Sequence, residues 1–115
     1  MSLNAMHRSV MIFSDTQAKA EAKLEEIISE IEDEIVYRRK DFVETKSKKY
    51  EAKKCSDYCR GYRYQEVFID ETLRKNQDTI DWILMKLVPP HYYKNVERDE
   101  SYSWRDHVHY FESKS

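Results

Sequence analysis

The stretch KKYEAKKCSDYCRGYRY, Lys48–Tyr64, is where the chain changes character. Upstream it is acidic and aliphatic. Here it becomes basic and aromatic, with two cysteines four apart and the only glycine in the molecule. Reading this stretch as a binding site or as a corner decides the fold. Gly61 favours the corner, because glycine reaches the left-handed conformation that ends a helix without the steric cost of a Cβ.

Working outward, neither Pro nor Gly interrupts the chain between Ser14 and Gly61. Leu24, Ile27, Ile28, Ile31 and Ile35 recur at helical spacings, and Phe42, Ala52 and Cys59 continue the row. The pattern predicts one helix over about 15–60, roughly 65 Å long at about 1.5 Å per residue. Ser14 or Asp15 is the expected N-cap, with Gln17 completing a capping box. Beyond the corner, Val67, Ile69, Leu73, Ile80, Ile83, Leu84 and Leu87 predict a second helix over about 63–88, stopped by Pro89 and Pro90. Folding the chain back at Gly61 brings Ile80 level with Phe42 and Leu87 with Ile35. Asn76 interrupts the second row, either as a buried amide that sets register or as a residue at the wet edge of the seam.

The expected fold class is therefore all-α: a long antiparallel, coiled-coil-like helical hairpin with a C-terminal segment packing back. Residues 14–115 form a single helical domain, with 14–88 as the hairpin and 89–115 as loop and tail. Residues 1–13 form an N-terminal arm whose opening MSLNAM reads in part as an expression scar. Within it HRSVMIF, His7–Phe13, is a short apolar run suited to an extended arm or a strand. A break near Arg38–Asp41 would instead give a compact bundle of three or four helices.

Composition supports long helices with much exposed surface. Charged residues make up 37% and apolar ones 40% of 115 residues, while 13% aromatic is too rich for a disordered chain. One Gly and two Pro are few for a sheet with many turns. A net charge of -2 gives no overall pull towards nucleic acid or membrane, so an electrostatic partner must be read by a local patch. No apolar run approaches a membrane span, and no signal peptide is visible. Two cysteines in that setting imply a reducing, cytoplasmic compartment and free thiols.

Four groups of residues are candidates for function. The basic-aromatic stretch offers Lys46, Lys48, Lys49, Lys53, Lys54, Arg60 and Arg63 with Tyr58 and Tyr62, the ingredients for phosphate contacts and base stacking or for an acidic protein surface. The alternative is a solvated helix end whose tyrosines close the hairpin, and no helix-turn-helix or RNA-binding motif argues against it. Cys55 and Cys59, with His107 and His109, make a weak zinc candidate, since a helical cysteine pair is not the usual zinc knuckle. Structural thiols are the favoured reading, and a disulfide at that spacing on an intact helix fits poorly. His91, Tyr92 and Tyr93 after the two prolines suit a recognition loop. No nucleophile elbow, phosphate loop or paired-histidine helix motif appears, so no catalytic residue and no cofactor are expected.

The fourth group is Leu24, Ile27, Ile28 and Ile31, which the hairpin leaves uncovered. Charge is segregated along the same helix: seven acids and one lysine from Glu21 to Glu34, seven bases and two acids from Lys46 to Arg63. An antiparallel homodimer would bury that row and set acidic halves against basic halves. The sequence thus reads as a non-enzymatic interaction module acting through protein-protein contacts as a dimer, an adaptor, inhibitor or accessory factor. The alternative is a small nucleic-acid-binding regulator using residues 46–64.

Overall fold

The computed structural model describes residues 9–55, 63–88 and 103–113. These build a six-stranded mixed sheet with a helix on each face, which overturns the all-α hairpin and coiled-coil reading. The apolar run at the N-terminus is β1 (Ser9–Ser14), the third strand in from one edge. Val10 and Ile12 point to one face and Met11 and Phe13 to the other, and all four are buried. A strand covered on both sides has this unbroken apolar sequence, without polar alternation.

Helix α1 (Gln17–Glu30) follows after a two-residue turn. Thr16 is its cap, accepting from the Lys19 N–H at 3.2 Å, in place of Ser14 or Asp15. Gln17 closes no capping box. Its side-chain amide donates to the Ala52 carbonyl at 2.9 Å and accepts from the Lys54 N–H at 2.9 Å, fastening the helix start to a neighbouring strand. The helix stops at Glu30 and does not run on to residue 60; Ile31 is already extended. Glu30, Glu32, Asp33 and Glu34 crowd the negative end of the helix dipole with no base in the last turn, an arrangement that disfavours extension.

Three antiparallel strands occupy the rest of the expected first helix: β2 (Ile35–Arg38), β3 (Phe42–Thr45) and β4 (Lys49–Lys54). Ile35, Phe42 and Ala52, expected on one helical stripe, lie on three different strands. Their turns need no glycine. In the first, the Arg39 N–H donates to the Phe42 carbonyl at 2.6 Å; in the second, Thr45 Oγ1 accepts from the Lys48 N–H at 3.1 Å. Within β3 and β4 the buried residues alternate, Val43 and Thr45, then Tyr50 and Ala52. That is the two-residue period of a half-buried strand.

The second expected helix is also divided. Tyr64 makes a bridge to Leu87, then β5 (Glu66–Asp70) leads through a 3₁₀ turn (Glu71–Lys75) into helix α2 (Gln77–Met85). Asn76 is neither a buried register device nor part of a seam. It is exposed and caps α2, accepting from the Asp78 N–H at 3.0 Å. A 3₁₀ turn (Trp104–His107) then precedes β6 (Val108–Phe111). Gly61, the expected corner, lies outside the described residues.

The strand order is β2-β3-β4-β1-β5-β6, with β4, β1, β5 and β6 mutually parallel. The path from β1 to β4 moves one way along the sheet and that from β5 to β6 the other. Right-handed crossovers then put the two helices on opposite faces. Ala20, Leu24 and Ile28 of α1 pack with Val10, Ile12, Val43, Tyr50 and Ala52, and Ile27 and Ile31 sit at that cluster's margin. Ile80 and Ile83 of α2 pack with Met11, Phe13, Tyr64, Val67 and Ile69. The row assigned to self-association therefore covers the chain's own sheet.

Candidate functional site

In open α/β sheets ligands bind outside the carboxyl ends of the strands, where the crossovers diverge. Here that place is the junction of β1 and β5, and it holds a polar cluster. The Ser14 hydroxyl lies 2.6 Å from Asp70 Oδ2 and 3.1 Å from Asp15 Oδ1; with one proton to give, it donates to the nearer carboxylate. Asp70 Oδ1 accepts from the Thr72 N–H at 3.0 Å, capping the 3₁₀ turn. Burial raises the Asp70 carboxyl, but hydrogen bonding from Ser113, Ser14 and Thr72 outweighs it, so the group titrates below its ordinary range. The Thr72 and Ser113 hydroxyl oxygens are buried and close no hydrogen bond of good geometry; their nearness alone favours the anion.

Ser14 and Asp70 are both 0% exposed, so no substrate reaches them. The turn after β1 is Asp15-Thr16, with an acid where a phosphate cradle would need backbone N–H groups on glycines. Beside the cluster a small cleft of about 160 Å³ runs between α1 and the end of β6. Its two lysines are matched already, Lys19 by Asp15 at 3.3 Å and Lys23 by Glu26 at 3.2 Å. The cluster is a structural tie between strands.

The basic stretch is dispersed over a strand and its turns. Lys46 is exposed and pairs with Glu34 at 2.7 Å, and Lys48 pairs with Glu66 at 3.6 Å. Lys49 faces Glu44 across the β3–β4 ladder. Lys53 and Lys54 are exposed at the end of β4, and Arg63 is exposed just before the Tyr64 bridge. Because Tyr50 and Ala52 point towards α1, Lys49 and Lys53 point away from it. Acids interleave with the bases, so no single cationic stripe forms among the described residues. Tyr58, Arg60 and Tyr62 lie outside the described residues, as do His91, Tyr92 and Tyr93.

The weak metal set is not brought together. Cys55 follows the end of β4 and lies on no helix, which removes the geometric objection to a disulfide. It is disulfide-bonded and buried in the cluster beneath α2. His109 is on the opposite face, stacked on Phe68 at 4.6 Å and 2.7 Å from Glu66 Oε2. His107 ends the second 3₁₀ turn, and Cys59 lies outside the described residues. Among the described residues no group of three or more metal-ligating side chains occurs, and no helix is long and apolar enough to cross a membrane.

What the fold does expose is the other edge of the sheet. All four residues of β2 are exposed, Val36 by 55% and Tyr37 by 49%. Among the described residues β2 pairs only with β3, leaving its outer side open. Tyr37 and Phe42 are 6.0 Å apart, and the Arg39 guanidinium lies 5.3 Å from the Phe42 ring centre and 5.9 Å from that of Tyr37. Glu44, Lys49, Glu51 and Lys53 share this face, and neither helix covers it: α1 lies on the opposite face, and α2 packs over β1 and β5. Sequence reasoning did not single out Ile35, Val36, Tyr37, Arg39 and Phe42 as a group brought together at this edge. Their signal was the pair of β-branched and aromatic runs, EIVYR and DFVET, around a charged turn.

No family model matches the chain, and no curated protein or solved structure shows significant similarity to it.

Proposed function

We propose that the chain is a non-enzymatic protein-interaction module that binds an extended segment of its partner along the open edge of β2. The carrying observation is that edge, with Ile35, Val36 and Tyr37 exposed on a strand that has no second partner strand among the described residues. Strand addition draws affinity from the main chain and specificity from neighbouring side chains. Tyr37, Phe42 and Arg39 supply those neighbours, combining aromatic area with a cation over each ring. The inaccessible polar cluster at the strand ends supports a binding role over a catalytic one. The test is selection from a displayed library of random nonapeptides, followed by NMR shift mapping. Selected peptides should perturb Ile35–Arg38 and lose binding to Val36→Pro, whose fold is checked by circular dichroism. Peptides that map elsewhere, or bind the proline variant equally well, contradict the reading.

A second reading is single-stranded nucleic acid on the uncovered half-sheet, favoured by Lys49 and Lys53 on the same face as Tyr37 and Phe42. Glu44 and Glu51 on that face weigh against it. A fluorescent oligothymidylate whose anisotropy rises with protein and falls steeply with salt would support it; no change in anisotropy removes it.

A further inference from the structure

We infer that the segment added to β2 is β2 of a second copy of this chain, paired antiparallel about Val36 to continue the sheet across a two-fold axis. The inference rests on the reading of β2 as a binding edge. The residues around the strand are EDE-IVY-RRK, Glu32–Lys40, an acidic triplet, an apolar centre and a basic triplet. Antiparallel pairing about Val36 brings the acidic end of each strand, Glu32–Glu34, beside the basic end, Arg38–Lys40, of the other copy. The match occurs twice, as an isologous two-fold contact requires. Parallel pairing would align like with like, and an unrelated strand would meet three acids at one end and three bases at the other. Charges at an edge ordinarily discourage promiscuous pairing. This arrangement discourages every partner except one carrying the complementary order, which the chain itself supplies.

Two features of β2 bear on the contact. A β-bulge lies between Ile35 and Tyr37, a device that commonly twists an edge away from neighbours. Pairing about Val36 places both bulges at the axis, and the charged flanks meet just beyond the short paired strands. The flanking charges also have partners at home: Glu34 with Lys46, Arg38 with Glu25, Arg39 with Asp41 and Lys40 with Glu21. These pairs lie at the surface, where such contacts are weak and readily shared. The interface is small, so the dimer should form in the micromolar range or above.

The test is molar mass by sedimentation equilibrium on the full chain, up to several hundred micromolar. Two variants accompany the native sequence: Asp33→Lys with Glu34→Lys, basic on both flanks, and Arg38→Glu with Arg39→Glu, acidic on both flanks. The native chain should be a monomer–dimer equilibrium. Each variant alone should self-associate at least about tenfold more weakly, because unlike pairs become like pairs. An equimolar mixture of the two should restore the dimer, which also establishes that both variants fold. A native monomer at every concentration overturns the inference, and so does growth beyond a dimer, which would signal head-to-tail edge pairing. Dimers that persist in both variants alone also overturn it, because the contact then lies elsewhere. If the native chain is monomeric while selected peptides still bind Ile35–Arg38, the binding-edge reading survives and only the second-copy partner is lost.

Discussion

The Ser14 hydroxyl donates a 2.6 Å hydrogen bond to the Asp70 carboxylate, joining the carboxyl ends of β1 and β5 inside the protein. This bond ties residues far apart in sequence and places an ionised group where water does not reach. Removing one partner should therefore be costly. Ser14→Ala should lower unfolding free energy by about 1.5–3 kcal/mol, the range for a hydrogen bond to a charged group. Urea denaturation checks this; a loss of a few tenths would mean that Thr72 and Ser113 hold the carboxylate unaided.

The same carboxylate gives a pH dependence with a definite sign. Asp70 titrates lower in the folded chain than its ordinary value of 3.8. The folded state thus binds fewer protons than the unfolded one through that region. Its contribution to stability is complete above the unfolded pKa and is lost as pH falls from there through the lower folded pKa. Acid denaturation of Asp70→Asn should lack this component, leaving a shallower loss of stability below about pH 4. An unchanged acid limb would contradict the assignment.

Tyr64 behaves in the opposite sense. Burial pushes its phenol well above 10.0, and its hydroxyl donates to the Ile83 carbonyl of α2. Its contribution to stability is complete below the unfolded pKa and is lost as pH rises from there through the higher folded pKa. Stability should therefore fall from about pH 10 upward. Tyr64→Phe should cost about 0.5–1.5 kcal/mol at neutral pH and flatten that alkaline fall. Thermal melts of both forms across the alkaline range decide it.

Leu24 separates the observed fold from the helical-hairpin expectation. It is 0% exposed in the cluster between α1 and the sheet. Leu24→Ala should destabilise by about 2–5 kcal/mol, as for other buried leucines cut back to alanine. The folded variant should keep the native molar mass at each concentration. In the hairpin dimer the same substitution would dissociate subunits, a result that sedimentation would register.

The sequence made some of this legible. The 14-residue stretch Gln17–Glu30 is rich in Ala, Glu and Lys, and Ala20, Leu24 and Ile28 fall on one face, so a helix there was readable. Its end was not, because the acids that stop it also have good helix propensity. The strands were obscured by missing punctuation. Arg39–Asp41 and Lys46–Lys48 turn the chain with charged residues and Thr45, where glycine or proline would have announced a turn. Strand alternation in KYEAKK and FVET is short enough to be absorbed into a heptad count. Ile35, Phe42 and Ala52 fit that count by spacing alone. A comparison of periods two and seven over residues 42–54 would have separated them. The polar tie was not visible locally, since Ser14 and Asp70 meet only after parallel pairing of β1 with β5. The charge split along the chain was expected on a single long helix; the acidic part lies on α1 and the segment after it, and the basic part begins on the β3–β4 turn and β4.

The most direct measurement is amide hydrogen exchange at Ile35–Arg38, followed by NMR at low and high protein concentration. Protection in β2 should rise with concentration as a second copy covers its outer edge, while that of Ile12 in central β1 stays constant. Exchange at Ile35–Arg38 that is the same at both concentrations would contradict the account of β2 as the edge where two chains meet.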